Sequence, residues 1–125
     1  MMQVSEIADI LSCEIFTGQE LSKNTIYYGC ASDLMSDVLA FSQSGAVLLT
    51  GLSTIQTIQT ADVADIKAVV LVRGKKPDAD VITLAMEKGI PLLGTKYSMY
   101  EACGLLYGRG LKSTMVYKEN DKKHA

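Results

Sequence analysis

Apolar positions along this chain follow two rhythms. Short continuous apolar runs, AVLLT at 46–50, AVVLV at 68–72 and IPLLG at 90–94, are separated by longer segments whose apolar residues recur every three or four positions. A run that is apolar on both sides suits a strand buried on both faces of a sheet. The longer spacing is that of one face of a helix. Read this way, the strand TIYYGC at 25–30 leads into a helix at 33–42, and the strand at 46–50 leads into a helix at about 54–64. The strand at 68–72 passes through RGKKPD into a helix at 79–88, and the strand at 90–94 passes through TKYS into a helix at 99–108. Val4, Ile7, Ile10 and Leu11 predict an earlier helix, with Ser5 as its N-cap. Residues 12–25, with Gly18 and Asn24 as turn formers, read as irregular chain or short strands, and the first 25 residues can add a helix and an antiparallel edge strand.

Helix ends carry their own signals. Ser98 and Glu101 have capping-box spacing, Asp78 is placed to cap the helix at 79–88, Lys88 falls in that helix's last turn, and Gly89 suits a left-handed C-terminal position. The segment TIQTIQTADVAD is rich in threonine, a mediocre helix former, but its threefold spacing still favours a helix. Repeated strand–helix alternation implies parallel pairing with right-handed crossovers. The expectation is an α/β fold: a single three-layer α/β/α domain over residues 1–112, with a mainly parallel sheet of about four or five strands. Residues 113–125 form a polar C-terminal extension, expected to fray after about 118.

Composition narrows the function classes. The chain has 125 residues, a one-domain length, and its 48% hydrophobic content is enough for a core. A net charge of −2 gives no electrostatic reason to expect a nucleic-acid partner. No apolar run approaches the roughly 20 residues that span a bilayer, so no membrane partner is expected. Cys13, Cys30 and Cys103 are far apart and the single histidine is His124, so neither a metal site nor a cofactor is expected. An odd cysteine count without a secretion signal points to the cytoplasm. No interior histidine is available to activate a thiol, and the carboxylates show no obvious pairing, so no catalytic residue is nominated.

Chemistry, if present, belongs on the loops that follow the strands, because ligands of such sheets bind at that edge. Those loops contain Ala31-Ser32-Asp33, Thr50-Gly51-Leu52-Ser53-Thr54, Arg73-Gly74-Lys75-Lys76 and Thr95-Lys96-Tyr97-Ser98. The candidate ligand-binding residues are Thr50, Gly51, Ser53, Arg73, Gly74, Lys75, Lys76, Thr95, Lys96 and Ser98. Hydroxyls, basic side chains and free helix N-termini suit a small phosphorylated ligand, although the same composition also fits loops that only cap helices. RGKKPD is not a P-loop, since it has one glycine and no Ser or Thr after the lysine. The glycines of GLLYGRG lie at a helix end, where they allow close packing and termination. The tyrosines read as core edges or an interface, with Leu105, Leu106 and Tyr107 as a contact surface.

The blocks GAVLLTG, TADVADIKAVVLVRGKKPD and GIPLLGTKYSMYEACGLLY resemble the DRTGG domain over roughly residues 20–112. They are similar in particular to small stand-alone DRTGG proteins linked to iron-hydrogenase gene clusters. The resemblance implies a regulatory module rather than an enzyme, similar in fold to the N-terminal domain of HPr kinase and more remotely to the uridine-nucleotide-binding domain of Mur ligases. It implies homodimer formation and sensing of a phosphorylated metabolite or adenine nucleotide. The alternatives are a ligand-free subunit docking on a protein partner of the hydrogenase system, or a small-molecule enzyme. An HPr kinase label lacks support, because the kinase half and its P-loop are missing. Where relatives carry a Gly-Asp-Arg loop, this chain has Gly51-Leu52-Ser53-Thr54, so only Thr50 and Gly51 transfer.

Overall fold

The computed structural model describes residues 1–115. The chain runs β1 (Met2–Gln3), α1 (Val4–Ile10), β2 (Glu14–Thr17), β3 (Thr25–Ile26), β4 (Tyr28–Ala31), α2 (Met35–Phe41), β5 (Ala46–Thr50), α3 (Ile55–Val63), β6 (Ala68–Leu71), α4 (Ala79–Lys88), β7 (Leu92–Gly94), α5 (Met99–Gly108) and β8 (Lys112–Ser113). A six-stranded sheet has the order β2-β7-β6-β5-β4-β8, and β1 and β3 form a separate antiparallel pair. Every pairing in the large sheet is parallel except β2 with β7. The segment expected to fray after about 118 lies outside the described residues.

Period-two alternation divides the sheet's side chains between two cores. Val47, Leu49, Ala68, Val70, Val72 and Leu93 meet Val4 and Ile7 of α1 and Ala102 and Leu106 of α5 on one face. Their neighbours Ala46, Leu48, Val69, Leu71 and Leu92 meet Val38 of α2, Ile58 and Ala61 of α3, and Val81 and Ala85 of α4 on the other. The continuously apolar runs are therefore strands with helices on both faces, which is the expected three-layer α/β/α domain. Burial of this kind stabilises by roughly 25 cal/mol per Å² of apolar surface, and it is why the central strands tolerate no polar face.

The sheet has six strands rather than four or five, because two short outer strands join it: the anticipated antiparallel edge, β2, and β8. The single strand expected at 25–30 is divided at Tyr27. Thr25 and Ile26 pair with β1, whereas Tyr28–Ala31 run parallel to β5, so two partners compete for one extended segment. Ser5 does not cap α1. Pairing of Gln3 with Thr25 holds Gln3 extended at the N-cap position, and its N–H donates to Glu6 Oε1 at 3.1 Å. Helices α4 and α5 have the expected limits, Gly89 is left-handed at φ 66°, and Lys88 reaches Asp62 of α3 at 3.4 Å. Asp78 occupies its N-cap position without a side-chain cap bond. Half of the expected capping box forms: Ser98 Oγ accepts from the Glu101 N–H at 3.2 Å, while the Glu101 carboxylate accepts from the Ser98 hydroxyl at 3.4 Å.

Gly18 ends the edge strand at φ 95°, and a Cβ there would lie 2.6 Å from the Pro91 Cα. Neither the left-handed backbone nor a backbone neighbour can relax easily. Gly18→Ala is expected to lower unfolding stability by at least about 2 kcal/mol and the Tm by roughly 8 °C, measured by calorimetry.

Candidate functional site

Parallel strands leave the sheet in one direction, so the loops after β4, β5, β6 and β7 meet along one rim. Hydrogen bonds join them. The Arg73 N–H donates to the Tyr97 carbonyl at 2.8 Å and the Gly74 N–H to the Thr95 carbonyl at 2.9 Å. Asp33 Oδ1 accepts from the Thr50 hydroxyl at 3.0 Å and from the Gly51 N–H at 2.6 Å. The expected common edge therefore exists, with its loops cross-braced.

Bracing occupies several of the residues that composition nominates as ligand donors. Thr50 and Thr95 are buried. The Thr50 hydroxyl donates to Asp33 and accepts from the Leu52 N–H at 3.1 Å. The Thr95 hydroxyl donates to the Leu11 carbonyl at 2.7 Å and accepts from the Tyr97 N–H at 3.2 Å. Both threonines end a strand and turn the chain, with donor and acceptor capacity engaged inside the fold. Arg73 and Gly74 are both left-handed, at φ 59° and 70°, and their N–H groups face carbonyls of the next loop. The Arg73 guanidinium lies where a Cβ at Gly51 would stand, with Asp33 on the same side, so the bare Gly51 makes room for an arginine.

Beside these braces a cleft of about 510 Å³ opens between three segments. The β6–α4 loop contributes Gly74, Lys75 and Lys76, and the β7–α5 loop contributes Thr95, Lys96 and Tyr97. The turn from α1 into β2 contributes Leu11, Ser12, Glu14 and Phe16, and Glu101 completes the lining. Lys76 Nζ is 2.7 Å from Glu14 Oε1 and stands 5.7 Å over the centre of the Phe16 ring. The ring packs against Gly94, where an added Cβ would be 2.7 Å from Phe16 Cε2. The structure thus gathers Gly74, Lys75, Lys76, Thr95 and Lys96 of the nominated set, while Thr50, Gly51, Ser53, Arg73 and Ser98 are not part of the lining. Glu14 and Phe16 were absent from that set. Both meet Lys76, and antiparallel pairing of Glu14 with Gly94, with a register shift between Ile15 and Thr17 that leaves Phe16 unpaired, carries them to the rim.

A second hollow of about 580 Å³ lies between α5 and β4, lined by Cys30, Cys103, Gly104, Leu106 and Tyr107 among others. Tyr100 and Tyr107 on α5 are 89% and 72% exposed, and Leu105 is also exposed. Leu106 is buried in the core, so the expected contact surface loses that residue, because its position on α5 faces the sheet. Burial pushes all three thiols up. Cys13 reaches about 12, Cys30 rises despite a hydrogen bond with Thr114, and Cys103 rises further through its proximity to Cys30. Among the described residues no group of three or more His, Cys, Asp or Glu could hold a metal ion, and no helix is long and apolar enough to cross a membrane.

Comparison with known proteins agrees with this fold. A family model described as the DRTGG domain matches residues 6–107. No curated protein matches. Among solved structures, the fold is similar to the CBS and DRTGG domains of the regulatory region of Clostridium perfringens pyrophosphatase, complexed with its activator diadenosine tetraphosphate, with a TM-score of 0.69 and 17% identity. The match covers 94% of this chain and 51% of that one, so the chain spans about half of the regulatory region it resembles.

The Cys13 thiol has a testable consequence. Its ordinary value is 9.0 and burial raises it to about 12 in the fold. Between these values the folded chain holds a proton that the unfolded chain has lost. The stabilisation is therefore complete below about pH 9 and is lost as pH rises toward about 12. Urea midpoints of the wild type should fall more steeply between pH 8.5 and about 10.5 than those of Cys13→Ala, and equal slopes would contradict the assignment.

Proposed function

The chain belongs to the DRTGG domain family, and from that membership we propose that it is a non-catalytic regulatory module that senses a small phosphorylated metabolite, an adenine nucleotide foremost, in the cleft beside β7. The observation that carries this reading is the pairing of chemistries in one hollow: Lys75, Lys76 and Lys96 beside the aromatic rings of Phe16 and Tyr97. Ammonium groups match phosphate oxygens, and aromatic faces match a base. The volume, about 510 Å³, is that of an ordinary small-molecule site. The activator bound by the clostridial regulatory region is itself an adenine dinucleotide, which supports the same ligand class here. Raised thiol pKa values leave little thiolate to act as a nucleophile, which favours sensing over covalent chemistry.

The exposed face of α5 favours a second property, association into a homodimer. Tyr100, Leu105 and Tyr107 stand outward beside a largely apolar hollow, and tyrosine is enriched at interfaces because it joins a large apolar body to a polar tip.

Two measurements test these readings. A thermal-shift screen should show ATP or diadenosine tetraphosphate raising the Tm, with stabilisation of about 2.7 kcal/mol at a hundredfold excess over Kd. A Lys75→Glu, Lys96→Glu double variant should lose the shift, and a flat screen across nucleotides and phosphosugars would transfer the weight to the ligand-free docking alternative. Light scattering should give about twice the 13.5 kDa chain mass, falling to the monomer in Tyr100→Glu, Tyr107→Glu. A wild-type monomer at high concentration would overturn the dimer.

A further inference from the structure

We propose that Lys76 is a latch: Glu14 stands on its ammonium where a ligand's phosphate would bind, and the ammonium in turn covers the Phe16 face where a base would stack. This rests on the sensing role of the cleft and adds a regulatory element to it.

The geometry is specific. The Lys76 ammonium meets the Glu14 carboxylate at 2.7 Å, and the same nitrogen stands over the Phe16 ring. Glu14 pairs with Gly94 and Phe16 sits at the register shift of β2 that follows, and both meet the Lys76 ammonium. The ring lies against the bare backbone of Gly94 on the adjacent strand. A carboxylate on an ammonium is the nearest intramolecular analogue of a phosphate on that ammonium. A cation over an aromatic face occupies the surface that a nucleobase would need for stacking.

Ligand entry is then an exchange. Phosphate oxygens replace the Glu14 carboxylate on Lys76, the ammonium swings off the ring, and the base takes its place against Phe16. No bond is made or broken. Both side chains of the ion pair are well exposed, at 69% for Lys76 and 58% for Glu14. Such pairs are weak in water and yield readily to a multiply charged anion. Lys75 and Lys96 line the same cleft, and neither is within ion-pair distance of an acidic side chain among the described residues. They supply the initial attraction, and Lys76 supplies the selection: a ligand that presents both enough negative charge to release it from Glu14 and a flat face to replace it on Phe16 binds more tightly than one with charge alone.

Calorimetric titration of ATP and of inorganic triphosphate into wild type, Glu14→Gln and Phe16→Leu tests the latch. Glu14→Gln removes the competing carboxylate at an exposed strand end and should bind both probes about two- to fivefold tighter, with the gain shrinking as salt is added. Phe16→Leu should weaken ATP about tenfold while leaving triphosphate within about twofold of wild type. Binding to Glu14→Gln alone, with none detected for wild type, would also support the latch. If wild type binds and Glu14→Gln binds equally or less tightly, the latch is wrong and the sensing role stands. Equal effects of Phe16→Leu on both probes would remove the base-stacking part. If none of the three proteins binds either probe, the latch and the nucleotide-sensing role fail together.

Discussion

The candidate site depends on one pairing: β2 runs antiparallel to β7 at the edge of an otherwise parallel sheet. Had this edge strand been parallel, its first residues would lie at the opposite end of the sheet from the lysine loops. Antiparallel, with Glu14 opposite Gly94, it delivers the turn after α1 to the rim where the β6 and β7 loops emerge. The edge is set by two glycines with distinct roles. Gly94 has no Cβ, which lets the Phe16 ring lie across the backbone, and left-handed Gly18 turns the strand away beside Pro91. Register matters as much as direction, since a shift of one residue would carry Glu14 and Phe16 to the other face of the sheet.

Polar residues at the rim divide into two groups, those that brace the loops and those that face the cleft. Thr50 and Thr95 are buried, and their hydroxyls bond with loop partners inside the fold. Removing a partner from a buried polar group costs about 1–3 kcal/mol, so these bonds act as structural pins. Lys75, Lys76 and Lys96 are exposed, so redirecting their side chains requires little energy. The braced loops carry the exposed lysines. Asp33 and Arg73 are exposed but join the pins through their contacts: one carboxylate oxygen gathers Thr50 and Gly51, and the guanidinium packs where a Gly51 side chain would be.

Much of this was legible in the sequence, and what was not has a physical cause. Continuous apolar runs gave the central strands, and the limits of α4 and α5 followed from a cap residue at one end and, for α4, a glycine at the other. The rim and its basic loop followed from parallel topology alone. Composition could not show that Thr50 and Thr95 face inward, because a threonine after a strand reads the same whether it bonds to a ligand or to its own chain. Glu14 and Phe16 escaped notice for a different reason. Their place in the site depends on pairing with a strand almost eighty residues later, and such a pairing leaves no local pattern. The division of the strand at Tyr27 and the displaced cap at Gln3 have the same origin, since both come from the pairing of β1 with β3.

For the proposed sensing role, the distribution of charge bears on which kind of ligand would suit the rim. The chain as a whole carries −2, so its long-range field does not attract a polyanion such as a nucleic acid. Three lysines confined to a cleft act over shorter distances, within the roughly 8 Å over which charges remain unscreened at physiological salt. A compact ligand with several phosphates can place all its charge within that radius, whereas a long backbone must leave most of its charge outside. Glu14 and Glu101 in the same lining lower the attraction for singly charged anions further. Under the proposed sensing role, weak net attraction with strong local complementarity would favour small, highly charged ligands over the abundant weaker ones.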